Sequence, residues 1–294
     1  MRTAVAVVVS AAWLCVSVAA IAKPSGDPAV ALRARYAAMP PRVEQSSFPQ
    51  HLRVESVEGP RSSQGDVYAV VDYPIATVSA ALSSPAHWCD TLILHLNVKY
   101  CRPVARDQRT DLSVAIGTKR DQSLGSASRV EFAFTIAASR PDYLDVELNA
   151  VKGPLGTGNY RIALQAAGLQ KGRTLVHLRY SYTYGPAARM AMQTYLSTSA
   201  SDKVGFTTSG DPNDPQSEFI GGVRGAIERN TMRYYLAIDA YLGSLEAPAP
   251  ARFEDSLERW FGATERYPRQ LREVDRDSYL AMKRNEYQRQ QTLQ

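Results

Sequence analysis

Residues 217–245, SEFIGGVRGAIERNTMRYYLAIDAYLGSL, carry an apolar ladder at helical spacing: Phe219, Val223, Ile227, Tyr234, Ile238, Tyr241, Leu242 and Leu245. Intervals of three, four and seven put these side chains on one stripe, so the spacing predicts a long helix with one wide buried face. Pro248 and Pro250 break the chain just beyond it. A helix of this length draws most of its stability from what it packs against, and the residues before it supply that partner.

Upstream the period changes to two. Strands are expected at His95–Cys101, Leu112–Thr118, Arg129–Ala137, Tyr143–Val151, Tyr160–Ala166 and Thr174–Tyr184, separated by turns bearing Gly, Pro or Asp. One further strand, Asp66–Asp72, precedes two short helices, Ile75–Leu82 and Pro85–Leu92. A helical segment, Ala187–Leu196, and a loop through Asp211–Pro215 lead into the long helix. The loop GPLGTG (153–158) lacks the Lys-Ser/Thr ending of a phosphate loop and runs into a strand, so it reads as a hairpin turn. The fold class is therefore α+β: a curved antiparallel sheet of six to seven strands wrapped around the 217–245 helix. Such a sheet has more concave surface than one helix fills, and the space between them suits an apolar guest.

Particular residues sharpen this. The strand end Val70-Val71-Asp72-Tyr73-Pro74 leads into Val78, Ala80 and Leu82, with Trp88 close behind. With the element order over residues 65–245, these resemble the helix-grip superfamily: START lipid-transfer domains, Bet v 1-like proteins and polyketide cyclase-like proteins. The blocks LHLNVK (94–99), KVGF (203–206) and RNTMRYYLAIDAYL (229–242) resemble a family of exported proteobacterial proteins. The superfamily resemblance implies a cavity and a lipid or other apolar ligand, and it names no reaction. The helical insertion at 187–216 and the tail 251–294 depart from the minimal pattern.

Residues 1–22 read as a signal peptide. Met1-Arg2 is followed by AVAVVVSAAWLCVSVAAIA, which ends in the A-x-A sequence Ala20-Ile21-Ala22. An uncleaved anchor is the alternative, but small residues crowd the end of the stretch and Pro24 and Gly26 follow it. Leu14 before Cys15 is a poor lipobox. Cleavage after Ala22 would place the mature chain in the periplasm or outside the cell. The expected organisation is then a lead-in at 23–64, a helix-grip domain at 65–246 and a helical tail at 247–294.

The 294 residues carry a formal charge of +5 and 45% hydrophobic residues, as suits a chain with a real core. The surplus is spread out, without a Lys/Arg block or aromatic–basic interleaving, which argues against nucleic acid. It leaves room for peripheral contact with anionic lipid headgroups. Past the leader only Cys89 and Cys101 remain. In an exported chain such a pair is more often a disulfide than a metal site, with two buried free thiols as the alternative.

No catalytic set is legible. His51, His87, His95 and His177 have no i, i+4 partner of zinc-site type, and no G-x-S-x-G elbow is present. No cofactor or metal is called for. Tyr180, Tyr182 and Tyr184 alternate on one strand face, combining apolar rings with hydroxyls. On the long helix Glu228 can pair with Arg224, and Asn230 falls beside the apolar ladder. A polar group there needs a partner: His95, Asn97, Lys99 or a ligand's head group. The candidate ligand-binding residues are accordingly Tyr180, Tyr182, Tyr195, His95, Asn97, Asn230 and Tyr234. The functional expectation is an extracytoplasmic binding or transfer protein for a lipid-like or other apolar molecule. The alternatives are a periplasmic assembly protein with a filled core, and a cyclase- or hydrolase-like enzyme using His95, His177 or a tyrosine as acid/base.

Overall fold

Eight strands form a single antiparallel sheet: β1 (Leu52–Gly59), β2 (Ser62–Val71), β3 (Val98–Arg106), β4 (Arg109–Ile116), β5 (Ser128–Arg140), β6 (Tyr143–Lys152), β7 (Thr157–Gly168) and β8 (Thr174–Tyr184). The computed structural model describes residues 26–39, 52–107, 109–198, 201–210 and 217–292. The expected leader and the Asp211–Pro215 loop lie outside them.

The strand order is β1-β2-β8-β7-β6-β5-β4-β3. Strands β3 to β8 follow one another as neighbours, and β8 closes against β2. The crossing from β2 to the far edge at β3 is made by α2 (Ile75–Leu82) and α3 (Pro85–Leu92). Both helices start where the sequence forces them to. Pro74 precedes α2, and Pro85 occupies the first turn of α3, where no backbone N–H is missed. Trp88 of α3 is buried and donates its indole N–H to Leu82 O at 2.8 Å. A disulfide joins Cys89 of α3 to Cys101 of β3, with Cα atoms 5.1 Å apart.

Period-two alternation splits the sheet into two faces. On the convex face α1 (Pro28–Ala38), capped by Asp27 through its bond from the Ala29 N–H, sets Ala29 and Leu32 against Tyr68, Tyr143, Ala167 and Leu175. On the concave face Leu164, Ala166, Val176 and Leu178 enter the main core. There α5 (Gly222–Ser244) lies along β2, β1 and β8. The close approach requires Gly65 on β2, because a Cβ at that position would stand 2.3 Å from Thr231 Oγ1. A curved antiparallel sheet gripping a long C-terminal helix is the helix-grip arrangement.

Several expectations need correction. The sheet has eight strands, because β1 lies in the stretch read as a lead-in; residue 65 falls inside β2. Strand β3 begins at Val98, since His95–Asn97 forms a turn in which the Val98 N–H donates to His95 O. The long helix starts at Gly222, at φ 59°, not at Ser217. Phe219 and Ile220 run extended instead, and the Ile220 N–H donates to Thr207 O. Burial of α5 is not confined to one face. Only Gly222, Arg224, Ala226, Asn230 and Asp239 escape it, because α6 (Arg252–Glu265) covers the side away from the sheet. Val223 does not meet the sheet; it packs on Leu196 of α4 (Pro186–Ser197). The tail also packs back. After the short α7 (Pro268–Leu271), α8 (Arg276–Thr292) lies against β3, and Tyr279 donates its hydroxyl to Leu94 O at 2.9 Å. No helix of the described residues is long and apolar enough to cross a membrane.

Candidate functional site

A continuous row crosses the concave face from Phe134 on β5 through Leu148, Ile162 and Tyr180 to Gly65 on β2, where α5 sits. Beside it, nearer the β6–β7 hairpin, Tyr160 stacks on Tyr182 with ring centroids 5.3 Å apart. Tyr180 touches both Tyr182, at 5.7 Å, and Tyr234 of α5, at 5.2 Å. The result is a bank of four tyrosines from two strands and the gripped helix.

Accessibility changes along this face. Leu164, Ala166, Val176 and Leu178, toward α2, have no exposed surface, whereas Tyr160, Tyr180, Tyr182 and Tyr234 each keep 8–9%. The interior is wholly sealed at the α2 end and keeps a small accessible surface at the tyrosine end. What covers the tyrosine end is α4, a helix with Leu196 as its one buried residue. Met192 accepts the Tyr182 hydroxyl at 3.6 Å, while Met190 and Tyr195 face outward. Burial holds the Tyr180, Tyr182 and Tyr234 hydroxyls above the usual tyrosine range, so the bank is uncharged.

At its inner edge the bank meets a polar cluster. His95 stacks on Tyr234, and its Nδ1 accepts the Asn97 backbone N–H at 3.1 Å. That contact puts the ring proton on Nε2, which is buried without a hydrogen-bond partner among the described residues. Burial first, then the charge of Arg233, pulls the His95 pKa well below the ordinary imidazole value. Arg233, the residue before Tyr234 on α5, donates to Glu273 at 2.7 Å and, at 3.5 Å, to Asn230 Oδ1. Lys119, from the β4–β5 loop, donates to the same Glu273 oxygen at 2.5 Å. Arg229 is buried with a hydrogen bond to Val204 O, and burial followed by Arg233 brings its pKa down to about 10. Tyr195 is near enough to weigh on both arginines. Lys119 and Glu273 also line a groove of about 920 Å³ between the β4–β5 loop and the tail, whose walls mix charged side chains with Phe261, Val274 and Met282.

The structure thus gathers the candidates named from sequence. Tyr180, Tyr182 and Tyr234 form the bank, His95 and Asn97 adjoin it, and Asn230 and Tyr195 border the cations. Other expectations are overturned. His177 is on the convex face, stacked on Tyr68 and bonded to Asp66 at 2.7 Å, so it shares no site with His95. Lys99 faces the tail and pairs with Glu286. Glu228 does not pair with Arg224; it accepts the backbone N–H groups of Phe206 and Thr207 and the Ser56 hydroxyl. Tyr160, Arg229, Arg233 and Lys119 were not among the candidate ligand-binding residues. For Tyr160 the alternation was the available signal, as it faces the same way as Ile162. Among the described residues no group of three His, Cys, Asp or Glu side chains could hold a metal.

No protein-family model matches the chain, and no curated protein does. Solved structures match the chain at low identity. A conserved protein of unknown function from Enterococcus faecalis is 6% identical over 82% of this chain and 92% of its own, with a TM-score of 0.35. Human StAR-related lipid transfer protein 5 is 9% identical over 55% of this chain and 84% of its own, at 0.31. Norcoclaurine synthase from Thalictrum flavum is 11% identical over 50% and 80%, at 0.33.

Proposed function

We propose that the protein is an extracytoplasmic binding or transfer protein for a lipid-like or other apolar small molecule, held against the tyrosine bank beneath α4. The observation that carries this reading is the change in accessibility along one apolar face. Its aliphatic half has no exposed surface, and its aromatic half keeps a small accessible surface beneath α4, a helix that buries only Leu196. Tyrosines suit such a wall, since their rings supply apolar area while their hydroxyls take up a ligand's scattered polar atoms. Action outside the cytoplasm is supported by the leader-like residues 1–22 and by the Cys89–Cys101 bridge, a bond that persists chiefly in oxidising compartments.

A neutral apolar dye, N-phenyl-1-naphthylamine, tests the binding reading. It should bind the purified protein and be displaced by a lipid extract, and Tyr182→Ala, at the cost of a lowered melting temperature for a buried aromatic, should still fold and weaken that displacement. A dye that never binds sinks the proposal. The location has its own test: the periplasmic fraction should yield a chain that begins at Lys23.

A further inference from the structure

Among the described residues, the polar cluster at the inner edge of the bank has more positive charge than the neighbouring carboxylates compensate. Arg229, Arg233 and Lys119 converge there, and Glu273 serves two of them. Asp202, a further carboxylate that weighs on Arg229, is exposed. Two donors in this cluster, Arg233 Nε and His95 Nε2, are buried without an acceptor among the described residues. A buried donor left unpaired costs on the order of 1–3 kcal/mol, and uncompensated buried charge costs more. Native proteins seldom retain such donors unless something else satisfies them. The missing partner has defined chemistry: it is an acceptor, it is negatively charged, and it lies beside an apolar aromatic wall.

We infer that the cluster of Arg229, Arg233, Lys119 and His95 holds the acidic head group, a carboxylate or phosphate oxygen, of an amphiphile whose apolar body lies along Tyr234, Tyr180, Tyr182 and Tyr160. The inference rests on the apolar-ligand reading of the same site and adds the charge of the ligand. Each residue has a part. Arg233 and Arg229 supply charge and N–H donors, and an arginine fork suits carboxylate and phosphate oxygens. His95, held neutral with its proton on Nε2, adds a donor. Tyr234 joins the two ends, since it contacts Tyr180 with its ring and lies under His95. An alcohol of the same length could accept a hydrogen bond there but would leave the charge unbalanced.

Dodecanoate and dodecanol, compared as displacers of N-phenyl-1-naphthylamine at slightly alkaline pH, separate these cases. With wild type, dodecanoate should act at a concentration about tenfold or more below dodecanol, the scale of one charged contact in a desolvated site. Arg229→Gln should bring the two midpoints together, the loss falling mainly on dodecanoate. If neither compound displaces the dye, the apolar reading and this inference fall together. If both displace it equally from wild type, the apolar reading stands and the acidic head group is overturned, whether or not the variant folds. A preference that persists undiminished in a folded Arg229→Gln overturns the assignment of these residues. Inorganic phosphate that raises the melting temperature as much as dodecanoate, without displacing the dye, overturns it too, because the anion would then need no chain.

Discussion

His95 lies flat on Tyr234, ring centroids 4.4 Å apart and planes inclined by 24°, while the Asn97 N–H occupies its Nδ1. The imidazole is thereby fixed as a neutral donor on the surface of the gripped helix, and a stability dependence follows. Its pKa in the folded chain lies well below the ordinary 6.5, through burial and then Arg233. Below that ordinary value the unfolded chain takes up a proton that the folded chain refuses, so stability is lost as pH falls, by at most about 1.4 kcal/mol per pH unit. Asp90 acts in the opposite sense, since burial pushes its carboxyl up to about 6 and the folded chain gains its proton first. The His95 contribution is therefore read as a difference. Urea denaturation of wild type and His95→Gln across mildly acidic pH should show the steeper loss in wild type, and parallel curves would mean that His95 protonates freely in the fold.

Gly65 and Thr231 are a second coupled pair. The Thr231 Oγ1 occupies the space where a Cβ on residue 65 would stand, and it also donates to Ile227 O at 2.8 Å. Gly65→Ala forces α5 off β2 and should cost about 1–3 kcal/mol. Thr231→Ala removes the nearest atom, so the double variant should be more stable than the sum of the two changes by roughly 0.5–3 kcal/mol. Additive effects in a double-mutant cycle would show that the helix does not press on the sheet at this point.

Local chemistry made much of the fold legible. Helices α2 and α3 and strand β8 fall at 75–82, 85–92 and 174–184 as the sequence implies, because prolines and period-two alternation act over a few residues. Strand β1 was not legible. As an edge strand it carries Glu55 and Glu58 and exposes Val57, which blurs its alternation. Neither was the break between α7 and α8 within the helical tail, where Asp275 caps α8 by accepting the Ser278 N–H at 2.9 Å. The aromatic half of the site could be read from residues two apart on one strand. Its cationic half could not, since a helical arginine is ordinarily solvated, and Glu273, the partner of Arg233, lies 40 residues further along.

The disulfide ties α3 to β3 beneath the turn that presents His95. Its two cysteines are 12 residues apart, and closing a loop of this size contributes about 2–3 kcal/mol in the chain-entropy model. Non-reduced, denatured protein should show no reactive thiol from this pair. Replacing both cysteines with alanine should lower stability by about that amount, and an unchanged melting temperature would contradict it.

The tail gives the last prediction. Glu286 of α8 is wholly buried between two lysines, with Lys99 Nζ on one oxygen at 2.9 Å and Lys283 Nζ on the other at 2.7 Å. Backbone carbonyls complete both ammonium groups: Leu96 O for Lys99, and His95 O and Val98 O for Lys283. The triad thus clamps α8 to the turn that carries His95 and Asn97. Burial brings the Lys283 pKa down to about 8 despite the Glu286 charge. As pH rises from about 8 toward the unfolded value near 10.5, the folded chain has released a proton that the unfolded chain still holds, and stability increases. Glu286→Gln leaves two buried ammonium groups without a counter-charge and should cost about 3–5 kcal/mol, whereas replacing all three residues with methionine should come close to wild type. Near-ultraviolet dichroism of Trp260, which stacks on Tyr279 at 4.8 Å, reports whether α8 has left its place. A Glu286→Gln protein as stable as wild type, with that signal intact, would mean that the tail is held by its apolar contacts alone.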